Sequence, residues 1–445
     1  MKSIDEIIPI ELFELAELFP ADSHLFVVGG FVRDFLLFNK ASSDIDITAS
    51  LTPSELESVL RGSKFKLIPA SPRLGTMIIK SARSYEYTAF RVDSYPVGDG
   101  VHTPTSVEFT KDIEKDARRR DFKCNAVYYD LNDRKIVDPL NGAKDIENKV
   151  LNTVIDPKIV LAQDGLRILR LARMVSTLGF DVNNDTFDAA KSLVDRLKDI
   201  SVERIQVELV KILDGDNVYK ALCLLRDLNA FEVVLPDLAK GRGLSQNAKF
   251  HKYDVMEHTF KTVEAAPKEI RLAALFHDVG KPICQQVDGN TYRHDVVGAE
   301  LTRKILTQYR FSNEIIDFIV ELVGAHMFDV ADMAKVNTIR KFIIKHPDNI
   351  SDIVDLQVAD GIGTGLVCGP LRESRTKEQV LYMKAHNIPF KISDLKINGD
   401  DLKEMGYQGK EIGSMLNDML EHCLFETLKN DKDALLDYAR RKRRK

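Results

Sequence analysis

The chain has 445 residues, of which 44% are hydrophobic and 29% are charged, and its formal net charge is −5. These values predict a globular protein of several domains, and they argue against a protein that coats nucleic acid by bulk charge while allowing a local basic groove. Neither a membrane span nor a signal peptide is indicated, because the apolar stretches are short or interrupted by acids. The cysteines show no CxxC spacing, which predicts a reducing, cytoplasmic environment without disulfides or a zinc knuckle.

Segments typical of strands dominate the first 150 residues and read HLFVVGG, DIDITAS, FKLIPA, GTMIIK, YEYTAFRV and CNAVYYDL. Helical periodicity follows, for example in ILRLARMVSTLGF, VERIQVELVKIL and EIIDFIVELVGAH. Strands first and helices afterwards predict an α+β fold, with a mixed-sheet head followed by helical domains. Polar, glycine-rich stretches place the predicted boundaries. The predicted domains are a head (residues 1–150), a neck and body (151–245), a third domain (246–370) and a helical tail (371–445).

The segment SSDIDITAS poses the first functional question, because its two acids alternate with isoleucines. On a strand, Asp44 and Asp46 would share one face, either as the wet face of an edge strand or as a site for one or two Mg²⁺ ions. Upstream, Gly29 and Gly30 form either a tight turn or a phosphate cradle at a helix N-terminus. Together these features favour a catalytic site, because Mg²⁺ held by carboxylates neutralises a triphosphate and lowers the pKa of an attacking hydroxyl.

Five motifs follow one another in the first half of the chain. They are GGFVRD with DID (29–34 and 44–46), RRDFKCNA (119–126), DPLNGAKD (138–145), QDGLRILRLAR (163–173) and SVERI (201–205). This ordered set resembles the motifs of class II tRNA nucleotidyltransferases, the family of CCA-adding enzymes and bacterial poly(A) polymerases. The resemblance implies a polymerase β-like head, Asp44 and Asp46 as catalytic ligands of Mg²⁺, tRNA as partner, and CTP and ATP as substrates.

The polar residues around position 120 form the predicted triphosphate and ribose site. The guanidinium groups of Arg119 and Arg120 can bind phosphate oxygens in pairs, and Asp121 and Asn125 can contact ribose. Without the other motifs, this stretch would be an ordinary charged helix surface. The resemblance adds Arg33, which follows the paired glycines, to the nucleotide-binding residues.

The next predicted feature is a base-reading pair, Asp164 and Arg167. Their i, i+3 spacing puts both on one helix face, where an acceptor and a forked donor can read a Watson–Crick edge, although an isolated pair would be a surface salt bridge. The resemblance implies that this pair selects CTP or ATP without a template. Arg170 and Arg173 either extend the nucleotide-binding face or bond helix ends within the neck. Gln163 replaces a glutamate of the family and is predicted to adjust the support of Asp164.

Three further segments bear on substrate use. Glu203 and Arg204 are predicted to support the base-reading helix. Residues 91–104 are rich in glycine and proline, which predicts a mobile loop. In the family, a flexible loop at this place accompanies addition of the terminal A. Residues 394–413 carry closely spaced glycines that either approach tRNA phosphates or cap short helices.

A second group of residues, in the later half of the chain, has the chemistry of metal ligands. It comprises His258, His277, Asp278, His294, His326 and Asp360. A lone His-Asp pair would be most simply a buried core feature, but this ordered set resembles the HD phosphohydrolase domain in its two-metal version. Imidazole with carboxylate predicts Mn, Fe, Ni or Co, which would activate water for attack on a phosphate ester. A structural role is the alternative. The remaining histidines are interpreted as ordinary residues: His102, His251, His346, His386 and His422.

The predicted function is template-independent addition or repair of the 3′-terminal CCA of tRNA from CTP and ATP, with a second phosphohydrolase site. By resemblance, the candidate substrates of that second site are 2′,3′-cyclic phosphate and 2′-phosphate ends of damaged tRNA. Within the transferase class, the alternatives are an A-adding enzyme, a CC-adding enzyme or a poly(A) polymerase. From other classes, they are an HD phosphohydrolase whose head serves as an RNA-binding module, and a purely structural RNA-binding protein. The oligomeric state is not encoded in these motifs.

Overall fold

The computed structural model describes residues 3–40, 44–95, 104–329, 333–366 and 375–443. The chain divides into two compact units, Met1–Pro236 and Asp237–Lys445. The first unit has strands followed by helices, and every regular element in the described part of the second unit is helical. The α+β prediction is therefore confirmed. The division between the units lies close to the predicted boundary at residue 245, whereas the boundaries at residues 150 and 370 stay predictions.

The strands of the first unit are short, and most of them belong to one mixed sheet. The strands in the described ranges are β1 (Phe26–Val28), β2 (Asp46–Ala49), β3 (Lys66–Ser71), β4 (Thr76–Lys80), β5 (Ser84–Ala89), β6 (Arg91–Ser94), β7 (Ser106–Phe109), β8 (Tyr128–Asp130), β9 (Lys135–Val137), β10 (Val150–Leu151) and β11 (Asp181–Val182). The large sheet has the order β3-β4-β5-β2-β1-β8-β9, and β6-β7 and β10-β11 form separate pairs.

The register at the centre of the sheet places apolar and acidic side chains on opposite faces. Strands β2 and β5 run parallel, with Ile47 opposite Tyr87 and Asp46 opposite Glu86. Ile47 and Tyr87 are fully buried, while Asp46 and Glu86 are exposed. Because side chains alternate along a strand, burying the isoleucine and tyrosine in the core obliges the two acids to share the outer face.

The helices of the first unit cover the sheet and then form a helical body. They are α1 (Ile10–Ala16), α2 (Gly30–Phe38), α3 (Pro53–Leu60), α4 (Ile113–Arg118), α5 (Gly142–Asn148), α6 (Pro157–Gln163), α7 (Leu166–Leu178), α8 (Asn184–Ser192), α9 (Val202–Asp214), α10 (Val218–Asp227) and α11 (Phe231–Val234), and α12 (Pro236–Ala239) follows at the division between the units. Helix α7 packs against α9 and α10. Its buried Ile168, Leu171 and Val175 recur at helical spacing, and Gly179 ends it with a positive φ of 71°.

The second unit is a helical assembly in its described part. Its helices are α13 (Val255–Ala265), α14 (Arg271–Phe276), α15 (Lys281–Asp288), α16 (His294–Gln308), α17 (Asn313–Ala325), α18 (Val336–Lys345), α19 (Ile350–Gly363), α20 (Arg375–Ala385), α21 (Gly399–Glu404), α22 (Lys410–Leu424) and α23 (Lys432–Arg443). Helix α13 packs along α19, and α16 packs along α17. A search of the described helices finds none with the length and apolar character needed to cross a bilayer.

Candidate active site and candidate metal centre

Three carboxylates gather around the start of β2, a central strand of the large sheet in the first unit. Asp44 and Asp46 come from the start of β2, and Glu86 lies opposite Asp46 on β5. Gly29 has a positive φ of 81°, and a Cβ on it would lie 3.7 Å from Oδ2 of Asp46. Burial, followed by the negative charges of Asp44 and Glu86, raises the pKa of Asp46 to about 6 although Arg120 opposes the shift. A cation beside these acids would relieve that repulsion, so the cluster fits an oxygen-ligand ion such as Mg²⁺.

The two arginines of the RRD motif are held by one buried aspartate. Nε of Arg119 donates to Asp116 at 2.7 Å, and Arg120 donates to Asp116 at 3.1 Å through Nη2. The hydroxyl of Tyr128 donates to the same carboxylate at 2.8 Å. Although burial opposes it, Arg120 and Arg119 hold the pKa of Asp116 below its ordinary value. The carboxylate of Asp116 therefore stays anionic beside both guanidinium groups and sets their orientation.

A chain of polar contacts joins the glycine-rich turn to helix α7. Arg33 donates to Asp34 at 2.8 Å and to Oδ1 of Asn125 at 2.6 Å. The amide of Asn125 donates to Asp121 at 3.1 Å, and Nε of Arg170 donates to the other oxygen of Asp121 at 2.8 Å. Arg170 and Asn125 outweigh burial and hold the pKa of Asp121 far below its usual range. Asp121 and Asn125 thus tie the head to α7, and their contact with ribose stays a prediction.

The base-reading pair does not lie on one helix face, so that prediction of local geometry is wrong. Asp164 follows the end of α6 with extended backbone angles, φ −147° and ψ 108°, and its Oδ1 accepts from the backbone N–H of Leu166 at 3.0 Å. An aspartate there satisfies an otherwise unpaired N–H at the start of α7. Arg204 donates to the other oxygen of Asp164 at 2.6 Å, which is a supporting contact of the kind predicted for that residue.

The hydrogen-bond partners of Gln163 and Arg173 bear on the roles predicted for these two residues. The amide oxygen of Gln163 accepts from Nη1 of Arg167 at 3.0 Å, so this side chain contacts Arg167, where a role in supporting Asp164 was predicted. Arg173 donates to Glu208 at 3.0 Å, which joins α7 to α9. For Arg173 the structure therefore shows the bond within the neck that was the alternative to nucleotide contact.

All six predicted ligands of the second group lie together in the second unit. Nε2 of His258 lies 3.0 Å from Asp360 and 3.3 Å from Oδ2 of Asp278. Nε2 of His277 lies 3.2 Å from the same Oδ2, and Nε2 of His294 lies 3.2 Å from Oδ1. Nε2 of His326 is 3.3 Å from that of His294. Asp278 is thus shared by two triads, one with His258 and His277 and one with His294 and His326, and this geometry suits a bridging carboxylate.

The outer ring nitrogens show how three of these imidazoles are oriented. His277, His294 and His326 each place Nδ1 at 2.7–2.8 Å from the backbone carbonyl oxygen three residues earlier. A carbonyl oxygen can only accept, so Nδ1 carries a proton, and Nε2 is the nitrogen that faces the centre. Metal-bound histidines commonly have this outer contact, which fixes the tautomer and the ring orientation. The donor set therefore fits a divalent transition metal.

The charges in the centre are strongly coupled. Asp278 is 1% exposed, and His277 and Lys281 hold its pKa well below the ordinary value although burial opposes them. Against burial, Asp278 raises the pKa of His277 to about 10. Burial and His277 lower the pKa of His326 to about 4. The buried carboxylates of the centre thus need compensating positive charge, and protons or metal ions can supply it.

Comparisons with known proteins bear chiefly on the first unit. A model described as the poly A polymerase head domain matches residues 25–152, and one for an RNA- and SrmB-binding site of polymerase A matches residues 179–241. A model for a tRNA nucleotidyltransferase domain 2 matches residues 295–439. All three models describe parts of poly(A) polymerases or tRNA nucleotidyltransferases. This agrees with the resemblance noted from the ordered motifs.

Two relatives of this chain carry different activities in their names. A CCA-adding enzyme of Staphylococcus epidermidis is 37% identical over 210 residues, which cover 47% of this chain and 50% of that protein. An A-adding tRNA nucleotidyltransferase of Deinococcus radiodurans is 34% identical over 272 residues, or 57% of this chain and 61% of that protein. The matched region thus spans only about half to three fifths of these relatives, and the activity of the whole protein is a matter for proposal.

Solved structures extend the likeness in fold to the full chain. The Bacillus stearothermophilus CCA-adding enzyme in complex with CTP has a TM-score of 0.67 at 23% identity and covers 100% of this chain and 98% of its own. The Thermotoga maritima CCA-adding enzyme complexed with tRNA has a TM-score of 0.62 at 18% identity, covering 99% of this chain and 97% of its own. These low identities support the nucleotidyltransferase fold alone.

Four residues with close contacts to the two sites were missed from the sequence. Glu86 lies in a strand whose alternation was visible, but its pairing with Asp46 needed the parallel register of two strands. Asp116 lies in EKDARRRD, which reads as a solvated charged helix. The ring of His251 lies 4.8 Å from that of His258. Lys281 extends from the residues after the HD pair, and its Nζ lies 2.6 Å from Asp278.

Two glycines lie where a side chain would meet neighbouring atoms. Gly280 has a negative φ and does not provide a left-handed turn; a Cβ on it would meet the carbonyl oxygen of His294 at 2.3 Å, so close packing requires the glycine. In the tail, Gly406 has a φ of 87°, and a Cβ on it would lie 2.3 Å from Nη2 of Arg443. Residues 96–103 of the predicted mobile loop lie outside the described residues.

Proposed function

We propose that this protein is a template-independent tRNA nucleotidyltransferase that adds or repairs the 3′-terminal CCA from CTP and ATP. The carboxylate cluster of Asp44, Asp46 and Glu86 beside the Gly29 turn is the observation that carries the proposal. Mg²⁺ bound by these acids would neutralise the triphosphate and lower the pKa of the attacking hydroxyl. The 3′-hydroxyl of the tRNA attacks the α-phosphorus, a new phosphodiester bond forms, and pyrophosphate leaves.

The chain's own residues supply binding and orientation for this reaction. Arg119 and Arg120, oriented by Asp116, bind the triphosphate oxygens and balance their charge. Asp164 accepts from the exocyclic amino group of the incoming base, and Arg167 donates to its ring acceptors. Both cytosine and adenine carry such an amino group beside an acceptor, whereas uracil and guanine do not present this pattern, so one pair of side chains can accept CTP and ATP and reject the others.

The relatives leave open whether the product is CCA or A alone, and a primer-extension assay decides it. The protein is incubated with tRNA lacking CCA, tRNA ending in C and tRNA ending in CC, each with labelled CTP, ATP, GTP or UTP. We expect two C additions followed by one A addition. Addition of A to the CC-ending tRNA without any C addition would identify an A-adding enzyme, arrest after CC would identify a CC-adding enzyme, and long A tracts would identify a poly(A) polymerase.

We also propose a second function, a metal-dependent phosphohydrolase at the histidine centre. Six converging ligands and three imidazoles oriented by carbonyl oxygens support it, whereas a structural cluster does not need Nε2 atoms aimed at one point. His258, His277 and Asp360 would hold one metal, His294 and His326 the other, and Asp278 both. Such a pair of ions activates water for attack on a phosphate ester.

Metal content and hydrolysis test this second function directly. The purified protein is analysed for Mn, Fe, Ni, Co and Zn, and 2′,3′-cyclic and 2′-phosphate RNA ends are supplied as substrates with each metal. Bound transition metal together with metal-dependent hydrolysis supports the proposal. A metal-free protein that takes up none of these ions would instead indicate a structural cluster. Hydrolysis without any nucleotide incorporation would favour the alternative in which the head serves only as an RNA-binding module.

A further inference from the structure

The segment of residues 246–253, QNAKFHKY, lies against the histidine centre and contains no acidic residue. The ring of its His251 lies 4.8 Å from the ring of His258, at an interplanar angle of 78°. Oε1 of its Gln246 accepts at 2.7 Å from Nζ of Lys281, the ammonium group that also pairs with the shared carboxylate of the centre. Two contacts therefore hold the segment beside the metal-ligand residues.

The centre is most open to solvent at Asp360, and the same segment borders it there. The side chain of Asp360 is 19% exposed, whereas the other five ligands are 6% exposed or less. Thr364, whose backbone N–H donates to the carbonyl oxygen of Asp360 at 3.2 Å, accepts from the backbone N–H of Lys252 at 2.9 Å. A Cβ on Gly365 would overlap the ring of Tyr253. The segment therefore lies beside the route by which a substrate would reach the ligands.

The outward side chains of the segment are of the kind that binds single-stranded nucleic acid. Lys249, Phe250 and Lys252 are exposed, and Phe250 is 54% exposed. Nζ of Lys249 lies 5.3 Å from the centroid of the Phe250 ring. Among the residues that the structure describes, neither lysine pairs with a carboxylate. An exposed aromatic ring offers a stacking platform for a base, and lysines without a counter-ion attract phosphates.

Resting on the proposed phosphohydrolase function, we propose that residues 246–253 bind the single-stranded RNA end that the histidine centre hydrolyses. Phe250 stacks on a base, and Lys249 and Lys252 pair with the neighbouring phosphates. Because Phe250 directly precedes His251, which contacts the centre, a base on the ring and a phosphate at the ligands can belong to the same RNA end. The phosphate-ester chemistry of the centre favours RNA over an acidic peptide as the occupant.

Binding measurements test the two kinds of contact separately. Phe250→Ala removes the ring, Phe250→Trp keeps a stacking surface, and the double variant Lys249→Gln with Lys252→Gln removes both charges. The probe is a short fluorescein-labelled RNA ending in 2′,3′-cyclic phosphate, and its Kd for the whole chain, treated with chelator, is measured by fluorescence anisotropy over a salt series.

We expect F250A to weaken binding about tenfold, near the low end for a lost base–aromatic stack, and F250W to stay within about twofold of the wild type. The double lysine variant should make the slope of log K against log salt shallower by about 1.4, because each phosphate contact to a single strand contributes about 0.7.

Hydrolysis and crosslinking locate the bound RNA. With metal-loaded protein, F250A should lower kcat/KM for the cyclic phosphate about tenfold and leave nucleotide incorporation on CC-ending tRNA within about twofold of the wild type. A 4-thiouridine at the last nucleotide of the probe should crosslink to residues 246–253 of the wild type. Leu381→Ala removes an apolar side chain that is 59% exposed on α20, and as the control it should change none of these values.

The outcomes separate this role from the function on which it rests. Crosslinks confined to other segments, or unchanged affinity and hydrolysis in F250A, would overturn the role and leave the phosphohydrolase function intact. An F250W that binds as weakly as F250A would overturn the stacking contact. Wild-type protein that binds the probe through residues 246–253 but takes up no metal and hydrolyses no RNA end would refute the phosphohydrolase function and show an RNA-binding surface alone.

Discussion

Asp46 in the first unit and Asp278 in the second hold their negative charge in opposite surroundings. Asp46 has an exposed surface at the start of β2, yet protein atoms crowd its carboxylate, and this desolvation, followed by the charges of Asp44 and Glu86, raises its pKa to about 6. Asp278 is almost fully buried, and imidazoles with Lys281 hold its pKa well below the usual range. Negative charge therefore outweighs the positive charge of Arg120 around Asp46 until a cation binds, whereas imidazoles and Lys281 already surround Asp278.

This difference indicates two kinds of metal use. The exposed carboxylates around the start of β2 favour Mg²⁺, which would exchange with each nucleotide. Imidazoles with fixed tautomers in a buried cluster favour a transition metal that stays bound. The following variants test this difference between the two sites.

The largest effect is expected for Asp46→Ala. It removes a central acid of the exposed cluster, so nucleotide incorporation should fall by about 10³-fold or more, because metal-held charge stabilisation contributes several kcal/mol. Metal-dependent hydrolysis at the histidine centre should be unchanged. Single-turnover incorporation and hydrolysis are measured on the same preparation, with Asp188→Ala, an exposed aspartate of α8, as control. Unchanged incorporation would refute the assignment of Asp46.

The reciprocal variant is Asp278→Asn, which keeps volume but removes the carboxylate shared by both triads. We expect loss of most bound transition metal and loss of hydrolysis, with incorporation within about twofold of wild type, because distant independent sites act additively. Metal analysis of the purified protein checks this, and Asp317→Asn, on the exposed surface of α17, is the control. Full metal content in the variant would contradict a bridging role.

Asp116→Asn tests the anchor below the two arginines of the first site. Removing the shared counter-ion should lower the free energy of unfolding by about 3 kcal/mol and raise KM for CTP and ATP about tenfold, because the arginines lose their orientation. Denaturant unfolding and steady-state kinetics measure both. Glu114→Gln breaks the exposed pair with Arg118 and should cost at most about 1 kcal/mol. Equal effects of the two variants would argue against the anchor.

The smallest effect concerns Asp121 and pH. Its pKa in the folded protein lies far below its unfolded value of about 3.9. Its ion pair with Arg170 therefore stabilises the fold above the unfolded pKa, and this contribution is lost as the pH falls toward the folded pKa. The difference in unfolding free energy between wild type and Asp121→Asn should be about 2 kcal/mol at pH 7 and shrink as the pH falls below about 4. An equal difference at pH 7 and pH 3 would exclude this ion pair as its source.

Local periodicity and motif order were readable from the chain. The structure contains the predicted strand segments in the predicted α+β order. It also brings together the six residues of the histidine centre. The strands and helices were readable because alternation and helical spacing are properties of neighbouring residues, whereas the six histidine-centre residues were identified from their resemblance to the HD domain.

Tertiary structure decided the partners of these residues. Glu86 reaches Asp46 only because β2 and β5 pair in parallel. The hydroxyl of Tyr128 reaches Asp116 only in the folded unit, whereas the contacts of Asp116 with Arg119 and Arg120 follow from their local spacing. Asp164 lies outside the helix that its spacing predicted, and its side chain accepts from the backbone N–H of Leu166 at the start of α7. Gln163 contacts Arg167 at the junction of α6 and α7. Contacts between segments distant in sequence, and the choice of a capping residue, depend on how burial and hydrogen bonds are satisfied across the whole unit, which spacing alone does not encode.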